Sequence, residues 1–284
     1  MSTYAIVAET GADIPADLVE RYHLHIVPMH VTVGNDTYDD GALAPADMYE
    51  RCRELGVMPH TSASTPGDFA TVFDVIHAEQ PEATIIYLAY SAVTTCSYES
   101  ALTAAAGRDY VVAIDTQNVT AGQGIIVVHT ARFIEEHPEA TVDEIRAFVD
   151  GFKRRVVMAF VPGDLGYLRA GGRLSNAQFL GAHLLKIKPV IEIEDGRLVA
   201  TKKLRGAMVR AAVHLIDCLA IEYELDRSEC VLLYSPGLSD LVRRTVEARV
   251  RALGIEEFRW QQTGTVISSH CGPSTFGIVL LRAE

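Results

Sequence analysis

Residues 84–115 read TIIYLAYSAVTTCSYESALTAAAGRDYVVAID, and this stretch decides the fold class. Thr84–Ala89 (TIIYLA) is a short apolar, β-branched and aromatic run of strand length. The Ser/Thr-rich segment after it leads into a helix over Ser97–Ala106, and Tyr110–Asp115 (YVVAID) returns to strand. Strands that alternate with helices of about ten residues pair in parallel and carry the helices on the sheet faces. Ligands of such sheets sit outside the carboxyl ends of the strands.

The same alternation extends outward. Tyr4–Ala8 (YAIVA) reads as a strand, Pro15–Tyr22 as a helix, His25–Val33 as a β-rich stretch, and Pro45–Leu55 as a helix with proline in its first turn. Thr65-Pro66-Gly67-Asp68 supplies a cap, a proline at N1 and an acid at N3, opening a helix to about Glu79. Gly122–His137 is an apolar helix, and Thr141 with Glu144 forms a capping box for the next. Val156–Val161 is a further strand, and a helical Tyr167-Leu168-Arg169 runs into the turn Ala170-Gly171-Gly172-Arg173. Pro189–Thr201 is a hairpin, because Asp195-Gly196 lies between alternating apolar residues. Helix 207–221, strand 230–234 and helix 239–252 follow, and Val266–Ser269 and Ile278–Leu281 read as strands. The expected architecture is an N-terminal, mostly parallel α/β/α domain over 1–155 and a C-terminal α/β domain over 156–284, joined without a marked linker.

Composition agrees with two cored domains. The chain has 284 residues, 49% of them apolar, and a formal net charge of −12. The charge is unevenly placed: residues 1–150 hold 23 acids, six arginines and no lysine, whereas 153–210 holds twelve bases and four acids. A nucleic-acid coat is not expected at this charge, although the basic block could hold a local anion. No apolar run reaches the ~18 residues of a membrane helix, and the N-terminus lacks the pattern of a secretory signal. Five cysteines, with no C-x-x-C pair, read as reduced thiols of a cytoplasmic protein.

The usual catalytic signatures are missing: there is no G-x-S-x-G elbow, Walker A loop or H-E-x-x-H, and Gly122-Gln123-Gly124 is only a fragment of a dinucleotide fingerprint. His23, His25 and His30 share one strand region without a partner at metal spacing, so no metal or cofactor is expected. Asp39-Asp40 reads as a solvated turn rather than a catalytic pair. What stands out is hydroxyl-rich loops: Glu9-Thr10-Gly11, Thr61-Ser62-Ala63-Ser64-Thr65, Ser91–Ser97 and Thr116–Thr120. Those that follow strands should share one rim. They are either a seat for a carboxylate or phosphate, or only caps and turns. His270, placed after the strand expected at 266–269, either faces a pocket or is packed. Among Arg173, Lys186, Lys188, Lys202, Lys203 and Arg205, most read as solvated charges; Arg173 stands out because its Gly-Gly turn permits close approach.

Seven segments, in order, resemble one family. These are AETGADIP (8–15), VPMHVTVGNDTYDD (27–40), HTSASTPGDF (60–69), SAVTTCSYESA (91–101), GYLRAGGRLS (166–175), LLKIKPVIEIEDGRL (184–198) and SHCGPSTFG (269–277). Together they resemble the DegV family, whose characterised members include the fatty-acid-binding subunits of bacterial fatty acid kinase. The resemblance implies two α/β domains with a long acyl chain held between them. It implies a carboxylate held by Thr61, Ser62, Thr95 or Ser97, and His270, with Arg173 and Arg205 meeting a partner or the phosphoryl group. It implies no activity of the chain alone: the bound acid is handed to an ATP-dependent kinase subunit that makes an acyl phosphate. The sequence departs from the family pattern at Glu9 (for Asp), Ala63 (for Gln), Thr95-Cys96-Ser97 (for Ser-Gly-Thr) and Ser274 (for Gly). A stand-alone lipid carrier or sensor, and a Ser/Thr-His hydrolase, are the alternatives.

Overall fold

The computed structural model describes residues 4–173 and 187–283. Lys186 and the ends of two quoted motifs, residues 174–175 and 184–185, lie outside the described residues. The chain divides into two units, residues 1–30 with 62–154, and residues 31–61 with 155–284. The chain crosses between the units three times, after residues 30, 61 and 154. The 31–61 excursion carries no composition shift that would mark it in the sequence.

The first unit is built on a parallel four-stranded sheet of order β2-β1-β6-β7, from β1 (Tyr4–Glu9), β2 (His25–Val27), β6 (Thr84–Ala89) and β7 (Val111–Asp115). Helices α3 (Pro66–Glu79) and α4 (Ser97–Ala105) bury Phe69, Phe73, Ile76, Ala101 and Ala104 against Val7, Ile85 and Tyr87. Alternate strand residues Ile6, Ala8, Ile86 and Leu88 are also buried, on the side where α5 (Thr120–Glu136) packs, backed by α6 (Val142–Phe152). Two covered faces explain why these strands are continuous apolar runs. Both capping boxes form: Thr65 and Thr141 each accept the N3 backbone N–H, and Asp68 and Glu144 each accept the cap's own N–H. The short α1 (Ala16–Arg21) follows β1.

The second unit holds a six-stranded mixed sheet of order β10-β9-β8-β13-β11-β12. Its strands are β8 (Val156–Val161), β9 (Lys188–Glu194), β10 (Arg197–Leu204), β11 (Leu225–Tyr234), β12 (Phe258–Gln262) and β13 (Phe276–Arg282). All its pairings are antiparallel except β11 with β12. Helices α8 (Met208–Glu222) and α9 (Asp240–Ala252) bury Leu215, Ile216, Leu219, Val242 and Val246 on Ala159, Leu232 and Ile278. The expected hairpin turns at Asp195 (φ 47°) and Gly196 (φ 77°), the left-handed pair that a two-residue connection needs. The excursion adds β4 (Asp36–Asp39) and α2 (Pro45–Leu55), and its ends run through β3 (His30–Val33) and β5 (His60–Ser62) in a small sheet of order β4-β3-β5.

One expected strand is a helix. Val266–Ser269 lies inside α10 (Thr265–Cys271), which packs on α7 (Leu165–Gly171) and α2. Asp39-Asp40 is not a solvated turn as a pair either: Asp39 is exposed, but Asp40 is buried and its Oδ1 accepts the N–H groups of Thr265 and Val266 at 2.9 and 3.2 Å. The helix N-cap is Gly264, which has no side chain, so the capping oxygen comes from Asp40. A four-residue run, Val-Ile-Ser-Ser, that opens on two β-branched residues is ambiguous locally; a distant cap decides it.

Candidate functional site

In the first unit the parallel order places the ends of β1, β6 and β7 on one rim, and hydrogen bonds tie the loops there together. Ser91 N–H donates to Asn118 O at 2.9 Å, and Thr116 donates to Ala89 O through both N–H and Oγ1. Most rim hydroxyls are spent on backbone. Thr10 Oγ1 accepts Met29 N–H, Ser64 Oγ donates to Pro28 O, Thr94 Oγ1 donates to Ser91 O, and Thr65 caps α3. These residues follow the cap-and-turn alternative. Thr95 Oγ1 likewise accepts Ser97 N–H, at 3.3 Å, and also lies 3.2 Å from the Ser97 hydroxyl at the start of α4, with Thr95 half-buried and Ser97 buried. Ser62 is exposed at the end of β5 and makes no side-chain hydrogen bond among the described residues.

Beneath the rim lies a group that the sequence marks only as a departure from the family pattern. Glu9, at the end of β1, is fully buried. Its carboxylate accepts the Tyr87 hydroxyl at 2.5 Å, Gln123 Nε2 at 2.9 Å and Tyr90 N–H at 3.1 Å. Burial raises its pKa, opposed by those three donors. Gln123 also donates to Leu88 O, so the G-Q-G fragment on α5 is part of a structural network. The partners lie 78 and 114 residues from Glu9, which is why no local signal points to them. A second tie of this kind joins Thr120 Oγ1 to Asp13 Oδ2 at 2.5 Å.

In the second unit, Thr61 Oγ1 and His270 Nε2 are hydrogen-bonded at 2.8 Å, across 209 residues of chain. His270 stands in the last turn of α10 rather than after a strand. Its Nδ1 is buried without a hydrogen-bond partner, on the side where the Gly171 backbone comes so close that a Cβ there would sit 2.1 Å from it. Burial, and then the charge of Arg173, hold the imidazole pKa down at about 4, so the ring is neutral near pH 7. Arg173 is exposed and donates from Nη1 to Gly171 O at 3.0 Å. Arg205 is exposed beyond β10 and makes no hydrogen bond or ion pair with Thr61, His270 or Arg173.

The site residues named from the sequence therefore form a Thr61–His270 pair with Arg173 nearby, a separate Thr95–Ser97 pair, and the isolated Ser62 and Arg205. His30 is hydrogen-bonded to Asp68 at 3.0 Å, and among the described residues no three His, Cys, Asp or Glu side chains converge as metal ligands. None of the five cysteines is joined in a disulfide. No helix among the described residues is long and apolar enough to cross a membrane.

Comparison with known proteins covers the whole chain. Two DegV domain-containing proteins, from Halalkalibacterium halodurans and Caldanaerobacter subterraneus, are 31% and 30% identical over 284 residues, each alignment covering 98% of both chains. A structure described as fatty acid binding of a DegV family protein from Thermus thermophilus matches with a TM-score of 0.88 and 27% identity over all of both chains. Residues 3–283 match the family described as "Uncharacterised protein, DegV family", and with these relatives they show that the chain belongs to the DegV family.

Proposed function

We propose that this protein binds a long-chain fatty acid and presents its carboxylate to an ATP-dependent kinase subunit for acyl phosphate formation. What carries the first half is the full-length likeness to the Thermus thermophilus protein, for which fatty acid binding is described. The carboxylate is held by the hydroxyls of Thr61, Ser62, Thr95 and Ser97, together with His270. Site chemistry supports this. A neutral His270 makes no ion pair with an anion, and its one N–H acts on it by way of Thr61. As the Nε2–H tautomer it donates to Thr61 Oγ1, which leaves the threonine O–H to donate to the ligand. The partnerless Nδ1 fits that tautomer, since a buried lone pair is easier to leave unmet than a buried N–H. Hydroxyl donors suffice because the chain itself supplies the affinity: about fifteen methylene-sized groups at ~0.8 kcal/mol give a gross ~12 kcal/mol, reduced by ordering costs.

The kinase half is supported by the family resemblance and by Arg173, an exposed cation whose charge reaches His270. Arg173 and Arg205 would contact the partner or the phosphoryl group, and no catalytic residue is assigned to this chain. The test is native extraction with mass spectrometry, followed by melting curves with C14–C18 acids. An acyl chain in the extract and a raised Tm are expected. A protein that carries no acyl chain and does not respond to any of these acids would overturn the assignment. Charge reversal at Arg173 or Arg205 should lower kinase-dependent acyl phosphate formation while fatty acid binding stays near normal; loss of binding would place those residues in the pocket instead.

A further inference from the structure

The excursion 31–61 meets α10 at four points along its length, all within the second unit. At the amino end, Asp40 Oδ1 accepts the N–H groups of Thr265 and Val266, and Leu43 O accepts the Thr265 hydroxyl. Further along, the Tyr49 hydroxyl donates to Ser268 O at 3.0 Å, and the Tyr49 ring stands edge-on to Tyr167 of α7. At the carboxyl end, Thr61 bonds His270. Helix α10 has seven residues and a glycine N-cap with no side-chain cap hydrogen bond. So short a helix has little stability of its own, and its position is set by what holds its ends.

We propose that Asp40 is a positioning residue for His270: from the excursion it caps α10, fixing the register of the helix and hence where the imidazole meets Thr61. Asp40 is buried and sits 225 residues from the N–H it accepts, so the cap is a tertiary contact rather than part of a local turn. Tyr49 holds the same helix one turn before its end, and the two contacts leave α10 no freedom to rotate about its axis. The excursion is thereby the element through which the ligand end of α10 is set.

The consequence for ligand binding rests on the head-group reading of His270, so the test separates the two. In ligand-free protein with labelled histidines, Asp40→Ala should move the His270 titration up from about 4 toward 6.5, because a displaced ring regains water. Palmitate affinity should fall tenfold or more. Asp40→Asn keeps the accepting oxygen and should stay within threefold of the parent. Asp39→Asn, at the exposed neighbour, should change nothing. If Asp40→Ala folds with both the His270 titration and palmitate affinity unmoved, or if Asp40→Asn is as impaired as Asp40→Ala, the positioning role is wrong. Should Asp40→Ala not fold, Tyr49→Phe removes the one hydroxyl that α2 gives to α10; a several-fold loss of affinity with shifted His270 resonances is expected, and no change in either overturns the idea. His270→Asn with normal palmitate affinity would sink the head-group reading alone, leaving the titration result to stand or fall by itself.

Discussion

Gly171→Ala tests the geometry around His270 through the sign of its effect. Gly171 ends α7 with an ordinary helical backbone, since it is not among the residues of positive φ. Alanine is therefore allowed by the backbone, and on propensity alone it would stabilise the helix by up to about 1 kcal/mol. The space is what forbids it. The new methyl carbon would lie 2.1 Å from His270 Nδ1, 3.0 Å from Cε1 and 3.3 Å from Cγ, where ordinary contacts begin near 3.4 Å. The ring must retreat by more than an ångström, yet its Nε2 is tied to Thr61 at 2.8 Å. Overpacking of this kind costs about 1–3 kcal/mol, and the lost hydrogen bond about 1 kcal/mol more. Against the propensity gain, the net is a destabilisation of about 1–3 kcal/mol.

The assay is urea unfolding followed through Trp260, the chain's single tryptophan, which packs against Tyr234 and Phe276 in the second unit. The midpoint should fall with the slope unchanged. Fatty acid affinity should fall about tenfold, since the displaced ring no longer orients Thr61. A Gly171→Ala protein as stable as the parent, with an unmoved His270 titration, would refute the reasoning, because it would mean the ring is not where it blocks a Cβ.

The remaining predictions concern buried ionisable groups. The folded-state pKa of His270 is depressed from 6.5 to about 4, so the unfolded chain binds its proton first. The stability contributed by the neutral ring is fully present above 6.5 and is lost as pH falls toward 4, by about 3 kcal/mol at ~1.4 kcal/mol per unit. Because the raised pKa of Glu9 acts in the opposite sense, the measurement is the difference between the parent and His270→Asn in unfolding free energy over that window. A flat difference would refute it. Glu9→Ala strands the Tyr87 hydroxyl, Tyr90 N–H and one N–H of the Gln123 amide in a dry site, and should cost the first unit about 3 kcal/mol or more in chemical denaturation. A loss under 1 kcal/mol would show that water replaces the carboxylate.

What was legible in the sequence was what local chemistry dictates. The strand–helix–strand run at 84–115 folds as its apolar pattern requires, and the Thr65 and Thr141 boxes close because cap and acid are three residues apart. What was not legible depends on partners distant in the chain. Val266–Ser269 is short and opens on β-branched Val266 and Ile267, and becomes helical under a cap supplied by Asp40. Strand β12, FRWQQ, alternates only over Phe258, Arg259 and Trp260 before two glutamines close it, too short an apolar pattern to mark this edge strand. The candidate site divides the same way: Thr61, Thr95 and His270 stand out by residue type in motifs, whereas Glu9, Tyr49 and Gly171 matter only through what the fold brings to them.

The excursion also changes the meaning of the charge asymmetry. Along the chain the acids crowd the first 150 residues, as if one half were anionic and the other cationic. In the fold, residues 31–61 carry six of those acids into the second unit. The first unit then holds 17 acids against six bases, and the second 20 against 19. The basic block is therefore no broad positive field. Within it Lys202 is paired with Glu192 and Glu222 and Arg155 with Asp226, and further along the unit Arg249 is paired with Asp217. Beyond a Debye length of ~8 Å in physiological salt, a nearly neutral unit attracts little. On the proposed function, recognition of an anionic group by the second unit would act at contact range, through single exposed cations such as Arg173 rather than through net charge. A partner that bears a nucleotide would be met at one defined spot, beside the histidine that α10 holds in place.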